Sequence, residues 1–195
     1  MRAGVFLVFG LAVLSGCAGG LGGSTPPDTY GLSAAPAVTG RAAPRRQVLI
    51  SEPIALKALD SEQIVIRPTP SAIEYLANSQ WSDRLPKIIQ DKLVQAFENS
   101  GKVGGVGRPG EGLAIDFQIA TAVRAFEIRV NGGEQAVVEL SVKILNDRNG
   151  SVVSDRVFKA SSAVSGSGNS AYVKALDRAF EEVVADLVPW ALGRF

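Results

Sequence analysis

The chain contains no histidine and one cysteine, Cys17, in 195 residues. Without an imidazole, no side chain of ordinary pKa near neutrality is present to shuttle protons. Without a second thiol there is no internal disulfide, and the common zinc sites and the Cys–His nucleophile pair are excluded. Carboxylates remain, but they stand singly along strand-like and helix-like stretches, where surface or ion-pair roles are the default. The expectation is therefore a protein that is not an enzyme, with no catalytic residue, cofactor or metal site. An excess of one charge is also missing: 20 Lys and Arg face 19 Asp and Glu, a net charge of +1. That balance gives no electrostatic footprint for nucleic acid. The local basic cluster Arg41, Arg45 and Arg46 is expected to face solvent or lipid head groups.

A bilayer-spanning apolar run is lacking at the start of the chain. Residues 5–13 are apolar apart from Gly10, which is well short of the roughly 20 residues a spanning helix needs. Preceded by Met1-Arg2, the run reads as the h-region of a signal peptide. Leu14-Ser15-Gly16-Cys17 follows directly and has the lipobox pattern of bacterial lipoproteins. Residues 1–16 are thus expected to be removed and Cys17 to be the lipid-attachment residue. Three acyl chains, a diacylglyceryl group and an amide-linked palmitate-type chain, suffice for stable anchoring where one is marginal. An ordinary secretory signal would instead leave an exported free thiol open to oxidation. Ala18 stands where Asp would favour retention, so the sorting rule of double-membraned bacteria favours the periplasmic face of the outer membrane over the inner membrane.

From the acylated residue to Arg46, residues 17–46 are rich in Gly, Ala, Pro, Ser and Thr. Such a stretch buries too little to offset the entropy of ordering and reads as a flexible tether reaching roughly 30 Å. Tyr30-Gly31-Leu32 is its apolar exception, open to docking on the domain or on a partner, or to standing alone in the linker. Residues 47–195 have globular composition and length for one domain.

Within that domain, residues 47–50, 62–67 and 71–76 are short strand-like runs. Residues 85–100 place Leu85, Ile88, Ile89, Leu93, Ala96 and Phe97 on one helical stripe. Trp81 projects onto the same stripe, Ser79 or Ser82 offers an N-cap, Pro86 fits a first turn, and Gly101 stops the helix. Lys92 interrupts the stripe and is expected to snorkel. Residues 113–130 and 135–146 alternate across Asn131-Gly132-Gly133, a hairpin signal, and Asp147-Arg148-Asn149-Gly150 turns the chain into residues 151–163. A final helix carries Tyr172, Ala175, Leu176, Ala179, Phe180, Val183 and Leu187 on one stripe. Asp186 lies at its apolar edge, expected to meet an ion-pair or hydrogen-bond partner, and Pro189 is expected to disrupt the last turn. Gly105-Val106-Gly107-Arg108-Pro109-Gly110 matches a dinucleotide fingerprint in spelling only, since it follows a helix and opens a strand, so a flexible loop is expected. The pattern predicts an α+β fold: a single two-layer domain, with a mixed or antiparallel sheet and two helices packed on one face.

Tyr75, the run Trp81-Ser82-Asp83-Arg84-Leu85-Pro86 and the amphipathic stretch after it resemble the central segment of the ABC-type transport auxiliary lipoproteins. The likeness extends in order from Tyr30-Gly31-Leu32 to Asp186-Leu187-Val188-Pro189-Trp190. This family includes the PqiC-like lipoproteins that work beside MCE-domain lipid transport systems. The resemblance implies an auxiliary, non-catalytic component with an MCE-domain protein and its ABC permease and ATPase as partners, a lipid anchor in the membrane, and a possible homo-oligomer. A structural or assembly lipoprotein of the outer-membrane envelope is the alternative. Residues 30–32, 104–110 and 190–195 are the segments from which a partner interface is expected.

Overall fold

The computed structural model describes residues 26–34 and 38–195. Its elements run β1 (Asp28–Tyr30), β2 (Ala43–Ile50), β3 (Ile54–Ala55), β4 (Gln63–Arg67), β5 (Glu74–Trp81), α1 (Leu85–Ser100), β6 (Val103–Gly107), β7 (Phe117–Arg129), β8 (Gln135–Asn146), β9 (Val152–Ala163) and α2 (Asn169–Leu192). The long strand β7 organises the sheet. On one side it pairs antiparallel with β8, which pairs antiparallel with β9, giving the expected meander. On the other side three short strands lie end to end along it, all parallel: β2 at its start, β3 at its middle and β4 at its end. The sheet then branches, with β6 beyond β2, and β5 followed by β1 beyond β4. The α+β class and the mixed sheet agree with the sequence pattern.

Both helices cover one face. α2 lies over β7, β8 and β9, α1 over β2 and β6, and the helices touch each other. Strand alternation supplies the apolar surface beneath them: Phe117, Ile119 and Val123 on β7, then Phe126 and Ile128 after a register shift between Val123 and Ala125. That bulge reverses the alternation, so both halves of a 13-residue strand present apolar side chains to the helices. Two aromatic groups fill the core. Phe126 sits between Trp81 and Phe180, with centroids 5.7 and 5.9 Å away. Phe195 lies against Phe117 at 5.1 Å and Phe97 at 6.3 Å.

Several boundaries differ from the sequence reading. Trp81 is buried at the end of β5 rather than on the helix. Residues 77–79 look like a strand end, but they form an irregularity: Asn78 adopts φ 54° and Asn169 Nδ2 donates to the Ala77 carbonyl at 2.9 Å and to Ser79 Oγ at 2.7 Å. Asparagine tolerates this left-handed conformation, and the strand resumes beyond it. Neither Ser79 nor Ser82 caps α1, whose N-cap is Arg84 with no side-chain cap. The Leu85 amide donates instead to the Ser61 carbonyl at 3.0 Å, and Pro86 has no amide to satisfy. Gly101 ends the helix at φ 60°, as expected.

The region expected as a glycine loop is the edge strand β6, parallel to β2. Its composition fits the close approach of backbones: a Cβ on Gly104 would run into the Pro44 carbonyl oxygen. The flanking turn, not the strand, carries the irregular residues 108–116. Pro189 lies inside α2, which continues to Leu192. The carbonyl that proline leaves unpaired belongs to Ala185, an exposed residue, so water can satisfy it.

The domain also takes in residues whose composition suggested a tether. β1 pairs with β5, Leu32 is buried in the core, the Ser33 amide donates to Asp177 Oδ1 at 2.8 Å, and β2 begins at Ala43, ahead of Gln47. A few anchors order this stretch because its backbone adds to edges that the sheet already offers.

Candidate functional surface

The residues singled out from sequence fall into three groups. Cys17, residues 1–16 and Ala18 lie outside the described residues. The segments expected to form an interface are taken up by the fold: Tyr30 pairs beside Trp81, residues 103–107 are β6, and Trp190 meets Phe158 edge-on at 5.3 Å. Phe195, stacked on Phe117, likewise packs on its own sheet. The remaining charged residues are surface fittings. Lys92 is half-buried and donates to Gln95 Oε1 at 3.3 Å. Arg46 reaches Asp116 at 3.4 Å and lies over the Phe117 ring, while Arg41 and Arg45 are exposed. Asp186 is exposed and makes no ion pair among the described residues, contrary to expectation, because its position on α2 turns away from the sheet. No group of metal-ligating side chains and no helix long and apolar enough to cross a membrane occurs among the described residues.

Among the described residues, the surface left uncovered is the sheet face opposite the helices. Register places Ile54, Ala122, Ser141 and Val157 in one row across β3, β7, β8 and β9. Ile54 is 73% exposed and Val157 43%, and the small Ala122 and Ser141 lie between them. Ile54, Ala120, Ala122 and Lys143 line a hollow of about 350 Å³. Beside Ile54, Leu56 is 81% exposed. Farther along β7 the face turns polar. Glu127, only 4% exposed, accepts from Arg67 Nε and from Arg129 Nε, both at 2.9 Å. The bulge between Val123 and Ala125 puts Glu127 on this face, and its burial depends on β4 lying beside β7, a pairing no local signal announces.

One other contact ties the layers together. The Tyr172 hydroxyl on α2 donates to Glu134 Oε1 at 2.7 Å, next to the β7–β8 turn. This bond to a carboxylate raises the phenol above its usual pKa, with burial and the negative charge adding to the effect.

A family model describing the ABC-type transport auxiliary lipoprotein component matches residues 30–188, nearly the whole described domain. The chain belongs to this family. Its members are auxiliary lipoprotein components of ABC-type transport systems. Within the solved structures, protein XCC0632 of Xanthomonas campestris is 28% identical with a TM-score of 0.76, over 85% of this chain and 95% of that one. An uncharacterized protein of known structure shares the fold at 16% identity and TM-score 0.69, covering 86% of this chain and 99% of its own. An uncharacterized protein of Bradyrhizobium diazoefficiens is 29% identical over 146 residues, 73% of this chain. The match spans 38% of that relative's length.

Proposed function

We propose that this auxiliary component is an acylated, non-catalytic periplasmic subunit of an MCE-type ABC system that moves lipids or other hydrophobic substrates between membranes. In this reading Cys17 holds it at the outer membrane, and the helix-free sheet face docks on the MCE-domain protein that serves the permease and ATPase. The observation that supports docking is the exposed row from Ile54 to Val157. Interfaces of this kind set apolar anchors inside a polar rim, here Glu52, Lys143 and Asp155. A structural or assembly role would use a similar domain, and adjacent permease, ATPase and MCE genes would favour transport over it.

Ile54→Glu tests the docking face. A charge at an interface anchor is expected to weaken binding of the purified MCE-domain protein about 30-fold, the equivalent of a 2 kcal/mol hot spot. Thermal unfolding should be unchanged, because Ile54 packs little in the free protein. Wild-type affinity for the variant removes this face from the interface.

The outer edge of β9 suits a different partner, a second copy of the chain. β9 pairs only with β8 among the described residues, and an unpaired edge of 12 residues is a template for strand addition. An antiparallel pair of β9 strands centred on Val157 sets Asp155 opposite Lys159 of the second copy, and Lys159 opposite its Asp155. Lys159→Asp should then shift light-scattering mass to the monomer, and the exchange Asp155→Lys with Lys159→Asp should restore the oligomer. A mass indifferent to both changes excludes pairing through this edge.

A further inference from the structure

Arg67 and Arg129 are register partners on the parallel strands β4 and β7. Two like charges set side by side on one face repel, and Glu127, bonded to both through Nε, carries one negative charge against their two. Bonding through Nε fixes each guanidinium plane and leaves the terminal nitrogens to turn elsewhere. Among the described residues the hydrogen bond these nitrogens make is from Arg67 Nη1 to the Pro70 carbonyl, at 3.3 Å. Both arginines line a hollow of about 380 Å³ shared with Thr69, Arg124, Asn131 and Glu139. Arg124 stands 3.9 Å from Glu139, and the other oxygen of that carboxylate is 3.5 Å from Lys159. Three arginines therefore line the hollow with two carboxylates between them, and Lys159 pairs with one of those carboxylates.

We infer that this hollow binds a phosphomonoester group, carried by a lipid headgroup or as free phosphate. The terminal N–H groups of Arg129, Arg124 and Arg67 supply charge-assisted donors in planar forks, the geometry that suits phosphate oxygens. Glu127 acts as a positioning residue, holding two of the forks in place. The layout of β7 suits an amphiphile: Ala125, Ala122 and Ala120 lead along the same face from the charged hollow to the apolar one beside Ile54. At about 3.3 Å per residue that track is roughly 15 to 20 Å long. The lipid source, though not the phosphate chemistry, rests on the transport reading above.

Calorimetric titration of the detergent-solubilised full chain tests the site with three probes: dihexanoyl phosphatidic acid, dihexanoyl phosphatidylcholine and inorganic phosphate. Phosphatidic acid is expected to bind at least tenfold more tightly than phosphatidylcholine, whose choline offsets the phosphate charge. Arg124→Gln should weaken phosphatidic acid binding about ten- to a hundredfold, as loss of a charged donor does. Arg124 is exposed, so this variant should keep wild-type unfolding. Arg129→Gln provides an independent second variant. Inorganic phosphate binding as tightly as phosphatidic acid would confirm the phosphate site and assign free phosphate as its source; weaker binding assigns the lipid. No binding of either phosphate probe, or wild-type binding by both variants, overturns the site. Binding of the MCE-domain protein is measured separately on the same variants, so a lost phosphate site and a failed docking model give different results.

Discussion

Phe97→Ala is expected to lower the stability of the domain by about 3 to 5 kcal/mol, the usual range for removing a buried aromatic ring. Phe97 has no exposed surface, and its ring lies against Phe195 where α1 meets the sheet. The surrounding wall is built from rigid elements. α1 is pinned to β2 by Gln90 Nε2, which donates to the Ile50 carbonyl at 2.8 Å, and Phe117 is held in β7. Limited collapse into the space left behind places the cost toward the upper end. For a chain of this length the midpoint of thermal unfolding should fall by roughly 6 to 20 °C. The measurement is a denaturant titration with unchanged m-value beside a thermal scan. A variant of wild-type stability that had lost partner binding would instead place Phe97 at an interface, against its burial.

On the proposed reading of Cys17 as the lipid-attachment residue, Cys17→Ser has the largest expected effect on location, because it removes the nucleophilic sulfur that would accept the diacylglyceryl group. No thioether forms, the signal peptidase step that depends on it does not follow, and the uncleaved precursor should carry no lipid. Growth with a radioactive fatty acid should label the wild-type protein and leave the serine variant unlabelled. Fractionation should find mature wild-type protein with the outer membrane. Label persisting on the variant would show that the anchor is elsewhere. Stability of the purified domain is expected to be unaffected, since Cys17 precedes the sheet.

Which parts of the fold were legible depended on whether the signal was local. The α2 stripe and the β7–β8 hairpin follow from side-chain periodicity and from glycines at positive φ: Gly132 and Gly133 adopt φ 85° and 123°. The Gly101 cap is equally local. Trp81 was misplaced because a strand of eight residues containing an irregularity at Asn78 loses its alternation, while the tryptophan happens to project onto the stripe of the following helix. Composition misled in the opposite way at β1 and β6. Asp28–Tyr30 and Val103–Gly107 look like linker and loop, yet each needs only its own backbone groups to join an edge presented by distant residues. Ile54 had no sequence signal, because its exposure depends on β3 lying beside β7. The Glu127 clamp was equally hidden, since it requires Arg67, 60 residues away, to share a row with Arg129.

The classes of chemistry open to this protein and its local elements follow from the order of residues alone. Absent side chains cannot be supplied by folding, so the lack of histidine and of a second cysteine rules out imidazole and dithiol chemistry in any conformation. The expected lipobox, Leu14-Ser15-Gly16-Cys17, is likewise a local pattern, and helix stripes and hairpin turns depend on neighbours within a few residues. Tertiary structure alone decided that β2, β3 and β4 share one flank of β7, that the N-terminal residues beside Tyr30 belong to the sheet, and that two arginines close on one buried glutamate. Those arrangements arise from the competition of many backbone edges for partners far apart in sequence. Hydrogen bonds to a peptide group carry no side-chain label, so only the assembled sheet fixes which edges meet and which face stays uncovered.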